Sequence, residues 1–247
     1  MNENLLETKQ IETEQIILHS PNSLNYITEK MIENTLIKLA EVYNFFNIDN
    51  YRKIQINLFD NLEKFREFVL SMREDQNSLP EYATGTYDLG MVNAYIHPNI
   101  VINSPLFIKK TYTPCHEIIH ILYKELILND NYNKRIVWLD EGLAQYLSGE
   151  KDYLEDKEEL VIYFQNVIEK TKEYPILNEI KHGKNFVNEN YNGYDLSYLC
   201  VKYLFDTKSL EEIRSIVFSY EKSIEVGQTI LEESLEYYKN VCKFTYK

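Results

Sequence analysis

The chain has 247 residues, of which 44% are apolar and 26% charged, a composition that excludes a disordered or fibrous protein and suffices for a buried core. Twenty-six Lys and Arg stand against 39 Asp and Glu, and the net charge of -13 sets up a field that repels nucleic-acid phosphate and anionic lipid. Three scattered cysteines, Cys115, Cys200 and Cys242, are too few for a disulfide framework and suit free thiols in a reducing compartment. The start, MNENLLETKQ, is polar and acidic where a secretory signal needs a basic segment and an apolar stretch, and no apolar run approaches the length of a membrane span. A cytoplasmic protein is expected, with no nucleic-acid partner and no membrane insertion.

In chain order, residues 1–12 read as a polar leader and 15–20 as a short strand closed by Pro21. Ser23 is the expected cap of a long helix over 24–46, whose apolar stripe is Ile27, Met31, Leu36, Leu39, Ala40 and Tyr43. Ile54, Ile56 and Leu58 alternate with strand period, and Asn61 or Asp60 caps a helix running to about 72. After a loop over 73–83 come three β-rich pieces, TGTYD, MVNAYIHP and NIVINS, which suggest an antiparallel meander. A helix over 112–128 follows, with Thr113-Pro114 in its first turn, then a second over 140–148. The remainder, 153–247, reads as helical throughout, at roughly 154–170, 194–206, 209–220 and 223–243. The fold class is therefore α+β, with an expected first lobe over 13–150 and a helical lobe over 151–247.

Chemistry concentrates in the central helices. Residues 116–120 are HEIIH, and on a helix His116 and His120, four apart, project from one face so that both imidazoles can reach one metal ion. Glu117 points toward the same cleft without being a ligand, a spacing that lets it take a proton from a metal-activated water. Two histidines need a third protein ligand. Glu141, in IVWLDEGLAQYLSGE and 21 positions after His120, can be brought back beside them by a helix-loop-helix excursion, with Gly142 letting backbone pass close by. Its neighbour Asp140 has two readings: a hydrogen-bond acceptor that orients a ligand His, or a helix N-cap. Trp138 reads as packing, because an indole has no acid–base use. Cys115, one residue from His116, faces away from the metal. His97, beside Pro98, reads as a turn residue, and His19 and His182 have no partners at metal spacing.

HEIIH followed by WLDEGLAQY resembles the gluzincin metallopeptidases, most closely the peptidase-MA-like group, over residues 13 to 220 or so. The resemblance implies a zincin-like fold: an N-terminal lobe with a small mixed sheet and an active-site helix, and an all-helical C-terminal lobe that closes the cleft. It implies Zn2+ held by His116, His120 and Glu141, with Glu117 as the general base. Many members use a Tyr from the helical lobe to stabilise the oxyanion, and Tyr194 fits that pattern best, with Tyr191 as the alternative. The strand before the motif would serve as the substrate platform, with MVNAYIHP or NIVINS as its edge. In GMVNAYIHP, residues Gly90, Met91 and Asn93 resemble the aminopeptidase G-x-M-E-N segment but lack its Glu, which favours endopeptidase over aminopeptidase action. The expected function is a zinc-dependent peptidase with a peptide or protein substrate. The alternatives are a non-catalytic zinc-binding regulatory or interaction domain, and a dedicated protease with a single protein substrate.

Overall fold

A computed structural model describes residues 8–73, 79, 83–154, 157–180 and 186–245, the side chains of 157 and 242–245 excepted. His182 and the thiol of Cys242 lie outside the described residues. The chain is α+β: the described residues form one small mixed sheet of five strands and a mostly helical remainder. It divides into two compact units, Met1–Ile121 and Leu122–Lys247, a boundary earlier than the 150 expected from the sequence. No helix among the described residues is long and apolar enough to cross a membrane.

The first unit contains all five strands: β1 (Thr8–Glu12), β2 (Ile16–Pro21), β3 (Ile54–Phe59), β4 (Gly85–Asp88) and β5 (Met91–Tyr95). Their order is β1-β2-β3-β5-β4, parallel at β2–β3 and β3–β5 and antiparallel at the two outer pairs. Thr8–Glu12 is thus a strand where the sequence suggests a polar leader; Ile11 is its one apolar residue, too few for an alternation to register. Between the strands run α1 (Asn25–Phe46) and α2 (Leu62–Ser71); after them come α3 (Pro105–Thr111) and α4 (Thr113–Leu122). Asn61 caps α2 as expected, its side chain accepting from the Lys64 N–H. Ser23 does not cap α1; it lies in a 3-10 turn, Asn22–Leu24, and its hydroxyl donates to Asp60.

Alternation along the strands separates the sheet's two faces. Ile54, Ile56 and Leu58 of β3 are buried on one face, in register with Val92 and Ala94 of β5, whose partners on β4 are Tyr87 and Gly85. The other face carries Asn57 and Asn93, joined side chain to side chain at 2.9 Å, and Phe59 and Tyr95, which pack with Phe65 and Val69 of α2. The segment NIVINS is not a strand. Val101 and Ile102 are exposed in turns, and the chain enters α3 at Pro105 with Ser104 as its cap. The expected meander is therefore a single hairpin, β4–β5. Both of its turn residues, Leu89 and Gly90, have positive φ (50° and 72°), as a two-residue type I′ turn requires.

The second unit begins with a five-residue π turn, Tyr123–Ile127, and contains α5 (Val137–Ser148), α6 (Lys157–Lys170), α7 (Gly193–Thr207), α8 (Leu210–Val217) and α9 (Tyr220–Thr245). Nearly every residue of α5 is buried. Its close approach to α7 depends on Gly142, where a Cβ would stand 2.5 Å from both the Ser197 carbonyl oxygen and Val201 Cγ2. Gln145 ties the same helices, donating to the Tyr194 carbonyl at 2.9 Å. Trp138 is fully buried and donates to Asn178 Oδ1 at 3.2 Å, the packing role read from the sequence. Stacked rings of Phe164 and Tyr238, 3.9 Å apart, join α6 to α9. Ser209 and Glu212 form a reciprocal capping box at the start of α8, and those bonds hold the Glu212 carboxyl below its ordinary range.

Candidate metal centre

Helix α4 begins at Thr113 with Pro114 in its first turn, so His116, Glu117 and His120 occupy regular helical positions. His116 and His120 lie on one face with their Nε2 atoms 3.1 Å apart and their ring planes near perpendicular. His120 is buried, and the ring of Tyr87 from β4 stacks on it at 5.5 Å. Glu117 is buried beside the same strand. A Cβ built on Gly85 would meet Glu117 Oε1 at 2.2 Å, so only a residue without a side chain lets the carboxylate occupy this place. Gly85 and Tyr87 share one sheet face, and each touches one residue of the HEIIH segment.

Glu141 and Asp140 sit in the opening turns of α5 with their side chains 5% and 1% exposed. Asp140 is not the N-cap, because the helix starts one turn earlier than expected and Ile136 occupies that position. Its carboxylate takes the Arg135 guanidinium instead, at 2.5 Å from both Nε and Nη2, and Nη2 reaches Glu141 Oε1 at 3.3 Å. Tyr123 lies near Asp140; burial, reinforced by that charge, pushes its phenol well above the ordinary range. One ligand atom from each of His116, His120 and Glu141 lies within 4.8 Å of the others, and the three form a group that can hold a metal ion.

The remaining candidates fall as follows. Tyr194 stands in the first turn of α7, edge-on to Phe186 at 4.6 Å, and is half-buried; Tyr191 lies just before that helix. Tyr198 is buried core, stacked on Phe164. Cys115 is fully buried, near Tyr43, Lys38 and Glu41 of α1, and so points away from the histidine face. The Nδ1 of His97 accepts the Asn99 N–H in a turn.

The strand expected to be the sheet edge is not one. MVNAY is β5, paired on both sides, and its Asn93 faces away from the side that carries Gly85 and Tyr87. Among the described residues the edge is β4. Gly85, Tyr87 and Arg135 were not singled out from the sequence. Two signals pointed to them: a glycine inside a strand pattern marks a close approach, and two adjacent acids in an apolar helix require a countercharge. Compared with known proteins, the sequence matches no family model and none of the curated proteins.

Proposed function

We propose that the chain is a zinc-dependent peptidase of the gluzincin type on a zincin-like fold, with His116, His120 and Glu141 as ligands and Glu117 as general base. The observation that carries this reading is the convergence of the two Nε2 atoms. Metal–nitrogen bonds of about 2.0–2.1 Å at a tetrahedral centre set ligand atoms ~3.3 Å apart, and His116 and His120 stand at 3.1 Å. Two imidazoles and a carboxylate are a donor set that suits zinc.

Bound zinc supplies a Lewis acid that polarises the scissile carbonyl and makes water more acidic. Glu117 takes the proton of the attacking water on its carboxylate and passes it to the leaving nitrogen. The gap at Gly85 leaves that carboxylate its position, and the Tyr87 ring keeps His120 from turning. Tyr194 donates a hydrogen bond to the developing oxyanion. The edge strand β4 offers backbone groups to an extended peptide.

The test is mass-spectrometric analysis of a diverse peptide library incubated with the zinc-loaded protein and with Glu117→Gln. Internal cuts made by the wild type and lost in the variant are the expected result. No cutting by either protein overturns a general peptidase.

A further inference from the structure

Asp140 and Glu141 are consecutive acids, both almost wholly withdrawn from solvent, in a helix whose neighbouring Trp138, Leu139, Leu143 and Ala144 are fully buried. Two adjacent carboxylates in such surroundings repel each other and have lost their water, so each needs a partner. The helix N-terminus contributes part of that compensation. Arg135 contributes a further part: it lies just before α5, and its guanidinium bridges the two side chains, with both shorter contacts on Asp140 and the longer one on Glu141. The asymmetry gives the two acids different tasks. Asp140 grips the guanidinium through two of its nitrogens, and that grip sets the direction of the remaining bond to Glu141 Oε1. A planar fork can span two carboxylates in this way, whereas an ammonium is a single point charge.

We propose that Arg135 is a positioning residue for the metal ligand Glu141: anchored on Asp140, it holds the Glu141 carboxylate in the orientation that offers a ligand atom alongside His116 and His120. The inference rests on the reading of Glu141 as a ligand. It also assigns Asp140 a purpose different from capping the helix, as the anchor of the positioning arm.

Zinc affinity measured by competition with a chromophoric chelator tests this, for the wild type, Arg135→Lys, Arg135→Met and the double variant Arg135→Met/Asp140→Asn. The double variant removes one buried charge together with the arginine, so that a folded protein without the fork is obtained; circular dichroism and thermal melts of the metal-free proteins check the fold. Outer partners of metal ligands are worth roughly 10–100-fold in affinity. The expected result is a loss of that size in the double variant and a smaller loss in Arg135→Lys, which keeps the charge but not the fork. The visible spectrum of the cobalt-substituted double variant should shift, since it reports the ligand set directly. Wild-type zinc affinity and an unchanged cobalt spectrum in the folded double variant would overturn the inference and leave Arg135 as charge balance alone. Failure of the wild type to bind zinc would be a different result, removing the ligand reading and this inference with it.

Discussion

At the scale of single residues, the site depends on what is absent at position 85. The Glu117 carboxylate occupies the volume that a Cβ on Gly85 would need. The end of a Glu side chain moves easily, so Gly85→Ala should change stability by less than about 1 kcal/mol while displacing the carboxylate proposed as the base. Displacements of this size cost on the order of 10²-fold in rate. The expected outcome is a fall of that order in kcat/KM with a nearly unchanged melting temperature, measured on a peptide from the library screen. Ser197 offers a contrasting case. Its hydroxyl is fully buried on α7 and makes no hydrogen bond among the described residues. Ser197→Ala removes an unsatisfied group and should stabilise the protein by ~0.5–1 kcal/mol, read from the urea midpoint.

At the scale of elements, two substitutions probe local geometry. Leu89 holds a left-handed conformation at the tip of the β4–β5 hairpin while 76% exposed, so its side chain gains little there and its backbone is strained. Leu89→Asn, which creates the Asn-Gly pair preferred by such turns, should raise stability by ~0.5–1 kcal/mol in a thermal melt. Gly142→Ala has the opposite sign. A methyl group there meets a backbone carbonyl and Val201, both fixed, and overpacking of this kind costs about 1–3 kcal/mol in a denaturant titration.

The elements that could be read from the sequence are those whose signals are local. The alternation in β3, the Asn61 cap and the apolar stripe of α1 lie within one window of residues, as does the four-residue spacing of His116 and His120. What escaped depends on distant partners. NIVINS has β-branched residues but pairs with nothing, so Val101 and Ile102 stay exposed. Thr8–Glu12 has almost no alternation and is a strand because β2 lies beside it. Gly85 and Tyr87 join the site only because the hairpin sets them on the face that meets α4, a matter of register that short-range pattern does not encode. Arg135 was hidden for another reason: two adjacent acids in an apolar helix call for a countercharge, but the sequence does not say which cation supplies it.

For the molecule as a whole, buried ionisable groups set the alkaline limit. Burial pushes the Cys115 thiol far up and the Cys200 thiol from 9.0 to about 12. The folded state therefore keeps protons that the unfolded chain releases near pH 9. Their contribution is intact below that pH and is lost as pH climbs toward 12, at about 1.4 kcal/mol per pH unit for each thiol. Half-buried Tyr163 and buried Tyr198 and Tyr238, all shifted upward by desolvation first, add to the loss above pH 10. Urea midpoints should hold steady up to pH 9 and fall steeply beyond it. Replacing both cysteines by Ala should flatten the interval from pH 9 to 10, where the thiols titrate and the phenols have barely begun.

The two ends of the sheet have different chemistry. Strand β1 presents Lys9, Gln10 and Glu12 on exposed positions, whereas on β4 the one charged residue, Asp88, is largely buried and paired with Arg73 at 2.6 Å, beside the uncharged Gly85, Thr86 and Tyr87. A second strand approaching β1 must seat itself against fixed charges of both signs, which discourages unspecific stacking of one molecule on another. The β4 end lacks that protection. Colloidal stability and receptiveness to an extended chain are thus assigned to opposite borders of one sheet. Added salt, by screening the charges on β1, should erode the first property before the second.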